Sequence, residues 1–360
     1  MKSIFIKPKK NIELVARSSH WVQNREGYHT MERNERVDDF NSKSMNILKK
    51  ISSFDFRTYP DNNLIYKNLA SWLKVNEKNI LITEGADGGL LRIFNVYVDK
   101  RDTVLTLEPG YAMYPVYCKM FKAKYVPLKL QPTLNKDYFS RLKKMIYKNK
   151  PKIVAIANPN QPIEVMLNLG QLNEICAITK KMNCLFVVDE AYYHFNNVTA
   201  KNLVKKYKNL IVVRTFSKAF GLAGLRVGYT ISDEQNINYL KSIKPIYEIN
   251  SINIKIILFF LKNINVMKKY VQEVNGSRKI LVDFFRKLNC KVYGKYSNTV
   301  LIEFPNIKLA ETVSRKLYKK KFIVRFLKLD QKGFLRLTLS GKKIIKDCLK
   351  VIKENFKDIK

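Results

Sequence analysis

Short apolar runs rich in β-branched residues recur through the chain, starting near positions 80, 103, 125, 152, 185, 210 and 226. Runs of that length read as strands buried on both faces. Between several of them apolar residues return at helical spacing. Leu64, Leu69, Trp72 and Leu73 precede the first run, and Leu90, Phe94 and Tyr97 follow it. Strands alternating with helices predict right-handed crossovers. The expected fold is α/β: a three-layer α/β/α unit around a mostly parallel seven-stranded sheet. Helical stretches around 236–243 and 251–288 lead into a smaller α+β unit with strands expected at 299–304, 322–326 and 334–339. Residues 1–44 are polar and aperiodic, carry Arg17, Arg25, Arg33 and Arg36, and predict an arm lying across the body. The division expected is therefore 1–44, 45–248 and 249–360.

Ligands of such a sheet collect at the carboxyl ends of its strands, where Gly85, Tyr111, Gln161, Asp189 and Lys218 all fall. The run at 210–213 leads into Ser217 and Lys218, with Arg226 eight positions further on. A lysine among apolar neighbours is costly to keep charged, so its pKa should fall. The neutral amine can then form a Schiff base with a carbonyl. Ser217 and Arg226 offer a hydrogen bond and a bidentate charge suited to phosphate. A carbonyl and a phosphate in one ligand describe pyridoxal phosphate. Asp189 ends a buried strand, where a carboxylate needs a partner; a protonated pyridine nitrogen is one. The turn Glu84-Gly85-Ala86-Asp87-Gly88-Gly89 opens a helix and aims backbone N–H groups at an anion. Taken alone, it reads first as an ordinary strand-to-helix turn with Asp87 as cap.

Composition narrows the partners. Net charge is +37, from 67 basic and 30 acidic residues. The lysines are scattered, with short groups only at 7–10, 143–150 and 319–321. Without an RNA-binding signature or a helix-turn-helix pattern, this reads as a lysine-rich solvated surface that attracts anionic metabolites, not nucleic acid. Cys118, Cys176, Cys184, Cys290 and Cys348 are odd in number and form no CxxC pair. They are expected as reduced core residues of a cytoplasmic protein, with no metal site. The first ten residues lack a signal-peptide core, and the longest strongly apolar run, 256–261, is too short to span a bilayer. The Asp189-Glu190 pair has no phosphate-binding G-x-x-x-x-G-K-[ST] loop to accompany it, which excludes that type of nucleotide hydrolase.

The run Ser217-Lys218-Ala219-Phe220-Gly221-Leu222-Ala223-Gly224-Leu225-Arg226 resembles the lysine motif of the class I/II pyridoxal-phosphate-dependent aminotransferases, in particular the histidinol-phosphate aminotransferase-like branch. The resemblance extends over about 31–340 and implies the aspartate aminotransferase-like fold. It implies Lys218, Asp189 and Tyr192 as catalytic residues. Phosphate would be held by Ala86, Asp87, Ser217 and Arg226, with Tyr59 reaching in from a second subunit of a homodimer whose sites are shared. Tyr111, after Glu108-Pro109-Gly110, would stack on the pyridine ring. Gln161 stands where the family's N-P-N-N-P-T-G has the asparagine that hydrogen-bonds the phenolic oxygen. Arg325, Arg336 and Asn34 would bind the substrate's anionic end. Three departures stand out: Arg36 in place of the second asparagine of an N-E-N segment, Gln161 itself, and Ile163-Glu164 in place of Thr-Gly. The activity implied is transamination between glutamate and a small phosphorylated compound such as histidinol phosphate. The alternative is decarboxylation of a phosphorylated amino acid on the same fold; a third, remote alternative is a basic binding protein on a retired enzyme scaffold.

Overall fold

The computed structural model describes residues 24–132, 135 and 137–356; the first 23 residues of the expected arm, Arg17 among them, lie outside the described residues. Seven strands form the main sheet: β1 (Ile80–Thr83), β2 (Thr103–Glu108), β3 (Lys124–Lys129), β4 (Ile153–Ala157), β5 (Leu185–Asp189), β6 (Leu210–Thr215) and β7 (Gly228–Ser232). Their order is β1-β7-β6-β5-β4-β2-β3. β2 to β6 pair in parallel, while β7 is antiparallel to both its neighbours. Six strands therefore point one way, and their carboxyl ends share one edge of the sheet. Pro127 is tolerated in β3 because that strand lies at the sheet's rim.

The unbroken apolar runs have a simple cause. Along β4, Val154 and Ile156 pack into the core on one face, and Ile153 and Ala155 pack into a second core on the other. β5 and β6 divide in the same way. Helices cover both faces. α1 (Asn63–Leu73) buries Ile65, Leu69, Ala70 and Leu73, and Lys74 in a left-handed conformation ends it. This corrects the expected inward face: Leu64 is about half exposed, at 51%, and Ile65 takes its place, because 65, 69 and 73 fall on one stripe of the helix. α2 (Gly85–Tyr97) buries Leu90, Ile93 and Phe94 and starts directly at the end of β1.

The expected helical stretch 251–288 is two helices, α3 (Ser251–Lys262) and α4 (Asn265–Lys287). A four-stranded antiparallel sheet follows, built from β8 (Lys291–Tyr293), β9 (Thr299–Glu303), β10 (Arg325–Leu329) and β11 (Lys332–Thr338) in the order β10-β11-β9-β8. The expected strand 322–326 is split: Phe322–Ile323 pairs instead, in parallel, with His29–Thr30. That pairing, together with a hydrogen bond from Thr338 N to Met31 O (2.8 Å), carries residues 31–36 over the small sheet and up to the edge where the main strands end. All five cysteines are buried and unpaired. No helix among the described residues is long and apolar enough to cross a membrane.

Candidate active site

The carboxyl ends of β1, β2, β4, β5 and β6 surround a cavity of about 820 Å3, closed from above by residues 33–36 and by Arg336 of β11. Lys218 and Asp189 both line it. The Lys218 amine donates to Arg33 O at 3.3 Å. Burial pushes that amine down to about 8, with Glu35 the largest opposing influence. Asp189 is buried, and burial pushes its carboxyl up to about 6. The hydrogen bond that its Oδ1 accepts from Ala191 N (3.0 Å) offsets part of that. A lysine drifting toward neutral and a carboxyl reluctant to ionise in one cavity are the perturbed pair expected of a reactive site.

Tyr192 follows Asp189 by three residues and is buried at the cavity wall. Its hydroxyl accepts from Asn34 Nδ2 at 2.6 Å, which leaves its proton free to donate. Asn34 sits in a left-handed conformation (φ 59°), and its backbone N–H donates to Thr338 Oγ1 at 3.1 Å. The expectation for Asn34 thus acquires a geometry: it holds Tyr192 and borders the cleft.

The turn between β1 and α2 meets Arg226 at close range. A Cβ on Gly85 would lie 2.8 Å from Arg226 Nη2, and one on Gly228 would lie 2.6 Å from Ala86 N. Glycine at both places lets the guanidinium and the first N–H groups of α2 face the same space. Ser217 completes that corner, its hydroxyl accepting from Thr215 Oγ1 at 2.9 Å. Asp87 is tied down by two phenols: Tyr111 donates to its Oδ1 at 2.8 Å, and Tyr117 donates to the same oxygen. Tyr111 is therefore fixed at the cavity wall by its hydroxyl.

Two of the expected residues stand apart. Tyr59 is 79% exposed, stacks flat on Tyr247 (4.4 Å between centroids, 6° between planes), and borders a separate hollow shared with Glu84 and Arg226. Arg325 lies directly opposite Arg336 across the β10–β11 pair and does not line the cavity itself. Gln161 lines the cavity, but its amide is engaged by Glu164 and Ser297. Arg36 lines the cavity, its guanidinium 4.4 Å from the ring centres of both Phe40 and Tyr270, and its Nε donates to Asp38 O at 3.0 Å.

Sequence reasoning missed the ionic rim. Arg25 pairs with Glu32 at 2.8 Å and with Glu35 at 2.6 Å, and both Arg25 and Glu35 line the cavity. The alternating charges of Glu32-Arg33-Asn34-Glu35-Arg36 were the available signal. Among the described residues no cluster of three or more metal-ligating side chains occurs.

The cavity fits pyridoxal phosphate on its own chemistry. It has an amine able to be neutral, a buried carboxyl lacking a cationic hydrogen-bond partner among the described residues, and a phosphate-sized corner of N–H groups, hydroxyl and guanidinium. Orphaned polar atoms line it as well, Asn34 Oδ1, Arg36 Nη1 and Arg336 Nε among them, buried without hydrogen-bond partners. Buried polar atoms in native proteins are seldom left so.

Comparison with known proteins agrees. The family model for aminotransferase class I and II matches residues 36–345. The histidinol-phosphate aminotransferase of Caldanaerobacter subterraneus subsp. tengcongensis is 34% identical over 338 residues, covering 91% of this chain and 93% of the relative. Among solved structures, the histidinol-phosphate aminotransferase of Sinorhizobium meliloti in complex with pyridoxal-5'-phosphate superposes with a TM-score of 0.81 at 20% identity, over 92% of this chain and 91% of that one. The L-threonine-O-3-phosphate decarboxylase of Porphyromonas gingivalis superposes with a TM-score of 0.75 at 19% identity, over 91% and 99%. These two share the fold. Matched by the family model along most of its length and by a relative at 34% identity, the chain belongs to the class I and II aminotransferases.

Proposed function

We propose that the chain is a cytoplasmic, homodimeric pyridoxal-phosphate aminotransferase that moves an amino group between glutamate and imidazole acetol phosphate, giving histidinol phosphate, or a closely related phosphorylated keto compound. The observation that carries this is the shared cavity of Lys218 and Asp189, each with its pKa displaced by burial toward the neutral form. The substrate follows from the curated relative of that name at 34% identity over nearly the whole chain.

When bound, pyridoxal phosphate supplies an aldehyde and an electron-withdrawing ring. The protein's residues do the rest. Lys218 would hold the cofactor through its neutral amine and, as a free amine, would carry a proton between its Nζ and the substrate carbon. Asp189 would face the ring nitrogen and hold its proton, which would give its own buried charge a partner. Tyr192, with Asn34 already donating to it, would donate its proton to the phenolic oxygen. Tyr111 would pack against the ring. The N–H groups of Ala86 and Asp87, the Ser217 hydroxyl and Arg226 hold phosphate. Arg336, beside Arg325 and Asn34, takes the anionic end of each substrate.

A second copy of the chain would complete the phosphate corner with Tyr59. The hollow that joins Tyr59 to Arg226 is lined also by Phe56 (74% exposed) and Tyr247 (43% exposed). An apolar patch of that kind suits an interface between subunits. The division into 1–44, 45–248 and 249–360 belongs to the same reading.

The test is chemical. Glutamate and the holoenzyme should yield 2-oxoglutarate, and imidazole acetol phosphate should then regenerate the starting form. Carbon dioxide released from phosphothreonine or phosphoserine, without that exchange, would replace the proposal with a decarboxylase.

A further inference from the structure

The loop after β4 departs from the family motif at two places, and the structure joins them. Gln161 Nε2 donates to Glu164 Oε1 (3.1 Å) and to Ser297 Oγ (2.8 Å), while its Oε1 accepts from Thr299 Oγ1 (2.8 Å). An amide nitrogen has two hydrogens, and both are used. Glu164 is equally committed. Its Oε2 accepts from the backbone N–H of Tyr296 (2.9 Å) and from that of Lys295, and its Oε1 accepts from Ser297 Oγ (3.0 Å). The turn they grip, between β8 and β9, is itself pinned by Arg278, whose Nη1 donates to Gly294 O (2.9 Å) and Thr299 O (3.1 Å). Ser297 and Thr299 are buried, so water competes little for these bonds.

The other amides of the loop bond within the protein too. Asn158 Nδ2 donates to Leu167 O (3.1 Å), and Asn160 Nδ2 donates to Pro109 O and Ile163 O (2.9 Å each). The Tyr192 hydroxyl accepts from Asn34 and, among the described residues, gives its proton to no protein acceptor.

We infer that Gln161 is a positioning residue rather than a ligand of the cofactor. With Glu164 it latches the β4 loop to the 295–299 turn of the small sheet, and Tyr192 is left as the single side-chain donor to the phenolic oxygen. The longer glutamine side chain reaches across to Ser297 and Thr299. The carboxylate at 164, in the place of the motif's glycine, supplies the acceptor that ties amide and turn together. This inference rests on the cofactor reading above.

Two measurements test it. The first is a pH titration of the visible absorption band of the holoenzyme. Gln161→Ala should leave the midpoint within about 0.2 pH units of the parent, whereas Tyr192→Phe should raise it by about one unit or more, since loss of a donor to an anionic oxygen favours its protonated form. A Gln161→Ala shift as large as that of Tyr192→Phe would overturn the inference. The second is thermal melting of the cofactor-free protein carrying Gln161→Ala, Glu164→Ala and both. Coupled groups should make the double variant lose clearly less than the sum of the single losses; additive losses would overturn the latch. A preparation with no visible band would refute the cofactor reading, and the melting cycle would still decide the latch.

Discussion

Replacing Asp189 with asparagine should make the cofactor-free protein more stable while weakening its hold on the cofactor. Asp189 is 6% exposed, and its carboxyl is pushed from 3.8 to about 6, chiefly by burial. A carboxyl whose folded pKa lies above its unfolded value binds protons more readily when folded. Its ionisation therefore costs stability, by an amount that is absent below about pH 3.8 and fully developed above about pH 6. A displacement of about two units corresponds to about 3 kcal/mol. Asparagine keeps the acceptor for Ala191 N (3.0 Å in the parent) and removes the charge. Urea unfolding of apoprotein should show Asp189→Asn more stable than the parent by about 3 kcal/mol at about pH 7.5, shrinking to about 1 kcal/mol at about pH 4.5. With pyridoxal phosphate bound the sign should reverse, because the ring nitrogen's proton stabilises the carboxylate that the variant lacks. An apo variant less stable than the parent at neutral pH, or one whose gain does not change with pH, would refute the reasoning.

Three further outcomes are expected. Lys218, pushed from 10.5 to about 8, should attach pyridoxal phosphate to apoprotein at a rate that rises with pH and levels off near 8; a rate still climbing at about pH 10 would show an amine of ordinary basicity. Ile65→Ala should cost about 2–5 kcal/mol in denaturant unfolding, while Leu64→Ala, on the exposed side of α1, should cost about 0.5 kcal/mol or less. Phe56→Asp, on the exposed patch beside the Tyr59 hollow, should convert a dimer to monomers in sedimentation, and a dimer that persists would place the interface elsewhere.

The main sheet was legible because its strands are buried on both faces, which leaves uninterrupted apolar runs and sharp ends. Asp189 and Lys218 fall at those ends, so their meeting in one cavity could be read from strand position alone. Legibility failed where a signal depends on register or on partners distant in sequence. Leu64 and Ile65 are equally apolar, and only packing decides which one turns inward. β8 is a three-residue strand at a sheet edge, too short to show a period. Arg325 sits on the predicted strand, yet its place opposite Arg336 is a matter of register between β10 and β11. Gln161 was read from its place in a motif, but Ser297 and Thr299, more than 130 residues away, take up its amide. Arg25 and Glu35 build the rim through a salt bridge that their spacing alone does not require.

We propose that the Lys218 amine and the Asp189 carboxyl grip one pyridoxal phosphate between them. The most direct measurement is the visible absorption spectrum of the purified protein, before and after glutamate, with Lys218→Ala as control. The expected result is a visible band that glutamate bleaches as 2-oxoglutarate forms, and a control that shows no such band derived from the lysine. A parent protein that stays colourless with added pyridoxal phosphate, or a Lys218→Ala spectrum identical to the parent's, would contradict it.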